Sequence, residues 1–129
     1  MLQSAYSHVT TRTESGVLIL TITEKQLTGE VLCDAIREEL LDAVQQKAGK
    51  VIVDFHNVDY VSSVAFRALL SLRRRVHDTE GRLVLCNLSP LVAEVFKVTR
   101  LLINSKSSPS MFDERPTIAD AIAALNGPV

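Results

Sequence analysis

The chain has 129 residues, of which 47% are hydrophobic, and its formal net charge is −1. This length predicts one domain, residues 1–129, with enough apolar side chains for a core. The small net charge argues against nucleic acid as a partner, and no apolar run reaches the roughly 20 residues of a membrane span, so no membrane insertion is expected. The N-terminus lacks a signal-peptide pattern, which predicts a cytoplasmic protein. Two cysteines, Cys33 and Cys86, lie among apolar residues and predict reduced, buried thiols.

Strand and helix patterns follow one another along the chain. The segments Tyr6–Arg12 and Val17–Thr23 flank Ser15-Gly16 and predict a hairpin. A polar loop, Glu24–Gly29, precedes an amphipathic helix predicted over Glu30–Lys47. The later predictions are a buried strand at Val51–Phe55, a helix from about Ser63 to His77, a strand at Leu83–Cys86, a helix opened by Ser89-Pro90, a short strand at Met111-Phe112, and a helix at Ile118–Leu125 that begins with the capping pair Thr117 and Asp120.

The resulting order is β-β-α-β-α-β-α-(β)-α. Strands that alternate with helices predict a layered α/β domain in which neighbouring strands are parallel. Right-handed crossovers are expected between the third, fourth and fifth strands.

Residues that could support catalysis or bind a cofactor are few. The five glycines are isolated and form no phosphate-binding loop, and the histidines and cysteines lack metal-ligand spacing. A serine nucleophile could be assembled from Ser62 or Ser63 with His56 and Asp54 or Asp59, but the G-x-S-x-G elbow is absent. We therefore expect no enzymatic activity, no catalytic residues, no metal and no cofactor.

The pair Ser62-Ser63 lies where the buried strand gives way to the second helix. A serine at this place is a natural N-cap, since its hydroxyl oxygen can accept a free backbone N–H. A helix N-terminus also favours a phosphate, so a phosphorylation switch is the alternative. The capping role is the interpretation that the residues favour.

The second helix is amphipathic. Its predicted inner arc contains only apolar residues: Ala65, Phe66, Leu69, Leu72 and Val76. A polar row with basic residues lies opposite, at spacings of three and four: Ser63, Arg67, Ser71, Arg74 and Asp78. This row is either a solvated face or the contact surface for a protein partner with acidic side chains.

The segment Asp54–Leu70, DFHNVDYVSSVAFRALL, resembles the signature of STAS domains, a family that includes the bacterial anti-sigma factor antagonists. The resemblance extends through Gly81–Pro90 and Val95–Leu101. It implies a small α/β sandwich: a mixed, mainly parallel sheet of four to five strands, with about four helices mostly on one face.

The chain departs from the family pattern at two places. Phosphorylated members of the family carry Asp-Ser-Ser-Gly at the strand–helix corner, with the second serine as acceptor. A gapless alignment from Asp54 places Ser62 on the aspartate, Ser63 on the first serine and Val64 on the acceptor. The Gly-Glu-Leu-Asp-like segment of the family is replaced by Thr23–Thr28.

The resemblance implies a non-enzymatic module that binds an anti-sigma factor, a serine kinase of the histidine-kinase-like ATPase type. Phosphorylation, if it occurs, would fall on Ser63 or Ser62. The alternative is a constitutive scaffold or a subunit of a transporter or signalling assembly. The residues expected to bind the partner are Ser62, Ser63, Val64, Arg67, Ser71, Arg74, Glu24 and Lys25.

Overall fold

The computed structural model describes residues 6–44, 49–103 and 112–127. The elements in chain order are β1 (Val9–Glu14), β2 (Val17–Ile22), β3 (Gln26–Leu27), α1 (Glu30–Val44), β4 (Lys50–Asp54), β5 (Tyr60–Val61), α2 (Ala65–Asp78), β6 (Arg82–Cys86), α3 (Pro90–Ile103), β7 (Asp113–Arg115) and α4 (Ile118–Asn126). Five strands form one sheet in the order β1-β2-β4-β6-β7. Within it β1 and β2 are antiparallel, and the other neighbours are parallel. The predicted mixed, mainly parallel sheet with four helices is confirmed.

The sheet separates two apolar layers, because alternate residues of a strand point to opposite faces. In β2, Leu20 and Ile22 pack in the larger core, which also contains the buried sides of α1, α2 and α3. Val17 and Ile19 pack in the smaller core with Ala121 and Leu125 of α4. Three helices therefore cover one face of the sheet, and α4 packs against the other.

The β1–β2 hairpin turns at Ser15 and Gly16, as predicted. Both residues have positive φ angles, 55° and 79°. Two successive positive φ angles match a type I′ turn, whose twist suits two-residue hairpins. The register pairs Val9 with Ile22 and Glu14 with Val17.

The capping residues predicted for the last two helices are confirmed. The Ser89 hydroxyl accepts the Val92 N–H at 3.2 Å, at the start of α3. The Thr117 hydroxyl accepts the Asp120 N–H at 3.1 Å, at the start of α4. Each hydroxyl thus satisfies one backbone donor that the helix leaves unpaired.

The last strand lies later than predicted, and the first helix is described only in part. Phe112 is a buried core residue that precedes β7, and pairing with β6 begins at Asp113. Met111 lies outside the described residues. The structure describes α1 as far as Val44, and the predicted extension to Lys47 lies outside the described residues.

A cluster of aromatic rings joins α3 to the larger core. The Phe96 ring makes edge-to-face contacts with Phe66 of α2, Phe55 and Phe112, at centroid distances of 4.6, 5.9 and 5.7 Å. Such contacts stabilise packing beyond the area they bury. Phe96 thereby fixes the N-terminal half of α2 against α3.

Both thiols are free and buried, as predicted for Cys33 and Cys86. Burial raises the pKa of the Cys33 thiol, and it raises the pKa of Cys86 to about 12. A thiol with a raised pKa is a poor nucleophile near neutral pH. Among the described residues, no helix combines the length and apolar character needed to cross a membrane.

Candidate functional site

A small parallel ladder holds two predicted partner-binding segments side by side. β3 pairs with β5, Gln26 opposite Tyr60 and Leu27 opposite Val61. The sequence predicted a polar loop over Glu24–Gly29 and no strand at Tyr60–Val61, so both β3 and β5 were missed. The Lys25 carbonyl accepts the N–H groups of Asp59 and Tyr60, at 2.7 and 3.3 Å. We call the surface formed by Glu24, Lys25, Ser62, Ser63, Val64 and Arg67 the recognition corner.

Ser62 does not cap α2, so the capping interpretation is wrong for this residue. Its hydroxyl donates to the Leu27 carbonyl at 3.0 Å, and its N–H donates to the same carbonyl at 3.0 Å. Ser62 instead closes the β3–β5 ladder. The N-cap residue of α2 is Val64, in right-handed helical geometry and with no side-chain cap.

The first turn of α2 is closed by backbone groups. The N–H groups of Ala65, Phe66 and Arg67 donate to the carbonyls three residues earlier, at 3.1 to 3.2 Å. This is the tight 3₁₀ pattern that helix ends use to satisfy free donors. Since these three N–H groups already have acceptors, this turn offers fewer donors to an incoming phosphate.

Solvent exposure differs sharply between neighbouring residues of the corner. Ser63 and Arg67 are exposed, whereas Ser62 and Val64 are half-buried. Val64 packs against the larger core. Of the two predicted phosphorylation candidates, Ser63 is therefore the accessible one.

The polar row predicted on α2 is less open than predicted at one position. Its predicted members are Ser63, Arg67, Ser71, Arg74 and Asp78. Arg67 and Arg74 are exposed, but Ser71 is half-buried. The inner arc is confirmed in full, since its five apolar side chains are all buried.

Basic groups dominate the exposed part of the recognition corner. Lys25 and Arg67 are exposed. The Arg67 guanidinium lies 3.5 Å from the Glu30 carboxylate, and both side chains are largely in solvent. An exposed pair of this kind contributes at most about 1 kcal/mol, so Arg67 can exchange Glu30 for another acidic group. Glu24 is different, because its carboxylate lies 2.6 Å from the His8 ring nitrogen Nδ1 and is half-buried.

A buried carboxylate lies at the carboxyl end of β4. Asp54 is 1% exposed. Its Oδ1 accepts the His56 N–H at 3.0 Å and the Asn87 amide at 2.8 Å. Its Oδ2 lies 2.8 Å from His56 Nδ1 and accepts the Thr21 hydroxyl at 3.4 Å. Burial acts to raise the pKa of Asp54, but the hydrogen bonds from Asn87 and His56 outweigh it and lower that pKa below its ordinary value.

This network joins the ends of three adjacent strands. From the sequence, Asp54 was considered as part of a serine-nucleophile arrangement, and Thr21 and Asn87 were missed. A usable signal was present, because residues that end neighbouring parallel strands meet at one edge of the sheet. Asn57 donates its side-chain amide to the Ile22 carbonyl, at 3.1 Å.

The serine-nucleophile arrangement considered from the sequence is not assembled in the described part of the chain. The Ser62 hydroxyl donates to the Leu27 carbonyl, and His56 faces Asp54. The described residues also contain no group of three or more His, Cys, Asp or Glu side chains that could hold a metal ion.

Residues 8–114 of the sequence match the STAS domain family. The chain belongs to the STAS family. Among curated proteins, it is 33% identical over 69 residues to BtrV, a candidate anti-sigma factor antagonist from Bordetella bronchiseptica. That match covers 54% of this chain and 60% of BtrV, so less than two thirds of the relative is spanned.

Solved STAS structures share the fold across nearly the whole chain. A STAS domain protein from Planctomyces limnophilus superposes with a TM-score of 0.76 at 22% identity, covering 94% of this chain and 99% of that one. The anti-sigma factor antagonist SpoIIAA, in its unphosphorylated form, gives a TM-score of 0.70 at 21% identity, with coverage of 94% and 98%. At these identities the likeness establishes the STAS fold, and the family assignment made from Asp54–Leu70 is confirmed.

Proposed function

We propose that this STAS domain is a non-enzymatic regulatory module of the anti-sigma factor antagonist type, acting in the cytoplasm. Its partner is an anti-sigma factor, a serine kinase of the histidine-kinase-like ATPase type. The observation that carries the proposal is the β3–β5 ladder, in which the Lys25 carbonyl accepts the N–H groups of Asp59 and Tyr60 and the Leu27 carbonyl accepts that of Ser62, just before α2. This pairing of the two segments supports a single contact surface for the partner.

The charge of this surface indicates the chemistry of the partner. Lys25 and Arg67 are exposed at the corner, and Arg74 extends the basic row along α2. Charge complementarity sets the rate and specificity of such encounters, so the partner presents acidic side chains. Ser71, half-buried between the two arginines, contributes to the edge of the contact.

Charge reversal at Arg67 is expected to weaken binding of the anti-sigma factor at least about tenfold, which corresponds to about 1.4 kcal/mol. Arg67→Glu removes an attractive group and faces the partner's acids with a like charge. Binding of the purified anti-sigma factor to an immobilised variant measures the loss. Higher salt should reduce the affinity of the unaltered protein, because exposed charges are screened.

The matched control is Arg12→Glu, which makes the same change of charge at an exposed position of the edge strand β1. It should leave the affinity unchanged. Equal affinities for the Arg67 variant and the unaltered protein would contradict the proposed surface. Capture of a transporter ATPase from the native cell, in place of an anti-sigma factor, would replace this proposal with the constitutive-subunit alternative.

Phosphorylation control is expected to be weak, because Val64 occupies the position of the usual acceptor. A kinase that phosphorylates anti-sigma factor antagonists should leave the unaltered protein without added phosphate. The same treatment should add one phosphoryl group to Val64→Ser, which intact-mass analysis measures. The double variant Val64→Ser/Ser63→Ala should keep that group, which assigns it to position 64. Phosphorylation of the unaltered protein to the same extent as Val64→Ser would contradict this expectation. If that phosphorylation were then lost in Ser63→Ala, the modified residue would be Ser63.

A further inference from the structure

A cavity lies at the other end of α2 from the recognition corner. It has a volume of about 180 Å³ and opens between the last turns of α2 and the first residues of β6 and β7. The recognition corner flanks β3 and β5 and includes the start of α2, whereas the cavity lies where β6 and β7 begin. Nothing in the proposed partner contact uses it.

The rim of the cavity is basic. Arg73 and His77, one helical turn apart on α2, both line it and are exposed. Arg82 lines it from the start of β6. In the part of the chain that the structure describes, Arg73 has no ion-pair partner, so its guanidinium is available to a ligand.

One acidic side chain also lines the cavity, and its charge is already shared. The Asp113 carboxylate lies 2.5 Å from the Arg115 guanidinium and 3.7 Å from that of Arg82. Arg82 is held further by the Ala124 carbonyl, which accepts its Nη1–H at 3.2 Å. Among the residues that line the cavity, Arg73 and Arg82 outnumber Asp113, so the lining carries a net positive charge.

The floor of the cavity is apolar. Phe112 and Val76, which line it, are buried core residues, and Leu83, which also lines it, is half-buried. A basic rim above an apolar floor suits a ligand that has one charged head and a small hydrocarbon body. The volume lies below the roughly 300–1,000 Å³ of sites for drug-sized ligands, so the ligand must be small.

We propose that this cavity binds a small organic oxyanion. Its carboxylate or phosphate head is held by Arg73 and Arg82, and its apolar body covers Leu83 and Phe112. The planar guanidinium forks match either head group. This site lies outside the partner contact and does not depend on it.

The test is a titration of the ¹⁵N-labelled protein followed by amide chemical shifts. Benzoate and phenyl phosphate represent the two head groups, benzyl alcohol removes the charge, and inorganic phosphate removes the apolar body. Saturable shifts of the amides near Arg73 and Arg82 are expected with the two organic anions. Binding of benzyl alcohol and inorganic phosphate is expected to be at least about tenfold weaker, as when a contact of about 1.4 kcal/mol is lost.

Arg73→Gln should weaken binding of the better organic anion about tenfold. Arg75→Gln is the matched control, because Arg75 is an exposed arginine of the same helix that does not line the cavity. Equal weakening by both variants, or none by Arg73→Gln, would overturn the site. If inorganic phosphate or benzyl alcohol bound as tightly as the organic anions, the division of the ligand into a charged head and an apolar body would be overturned.

Discussion

Replacing Phe96 with alanine is expected to lower the free energy of unfolding by about 3–5 kcal/mol. The ring is 7% exposed and contacts Phe55, Phe66 and Phe112 edge to face. Its removal takes away buried apolar area and leaves a cavity that the three remaining rings can fill only in part. Since small domains are stable by only about 5–15 kcal/mol, the loss is a large share of the total.

Urea denaturation measures this change, and Val98→Ala serves as its control. Val98 lies two residues further along α3 and is 47% exposed, so its truncation should change the free energy of unfolding by less than about 0.5 kcal/mol. Similar values for the two variants would show that the aromatic cluster does not hold α3 to the core. The urea dependence should stay the same in both variants if unfolding remains two-state.

Replacing Asp54 with alanine is expected to lower the free energy of unfolding by about 2–4 kcal/mol at pH 7. The substitution removes the buried acceptor of three partners, Thr21, His56 and Asn87. The half-buried Asn87 amide would then lose an acceptor at 2.8 Å, and a donor shielded from water and left without a partner costs free energy. The exposed Asp59, five residues on, provides the control Asp59→Ala, which should have little effect.

The effect of Asp54→Ala should depend on pH in a defined direction. Hydrogen bonds from Asn87 and His56 hold the pKa of Asp54 below its ordinary value despite burial, so the ionised form stabilises the fold. This contribution is complete above the unfolded pKa of about 3.9, and it is lost as the pH falls through the folded value. The difference between the two proteins should therefore be largest near neutral pH and shrink below about pH 4. A constant difference down to pH 2 would contradict this account.

Much of the fold could be predicted because its signals are local. The five apolar residues on one arc of α2 placed that helix on the sheet, and all five are buried. Ser15-Gly16 predicted the hairpin, and Ser89 and Thr117 predicted two helix starts. Each of these signals depends on residues that are neighbours in the chain.

The errors arose where contacts come from distant parts of the chain. Ser62 has the sequence context of an N-cap. Its hydroxyl instead donates a hydrogen bond to the Leu27 carbonyl, 35 residues earlier in the chain. β3 and β5 have two residues each, too few for a periodic pattern. The sequence therefore predicted the partner-binding residues without the ladder that brings residues 25–27 beside residues 59–62.

Only two residue pairs join β3 to β5, although the paired segments lie far apart in the chain. Breaking this ladder would expose chiefly Leu27 and Val61, whereas global unfolding exposes the whole core. Partial opening of this kind costs less free energy than full unfolding, so it occurs more often in the native state. Under the proposed function, the recognition corner rearranges around its partner while the five-stranded sheet stays intact, so adaptability and rigidity belong to different parts of the structure.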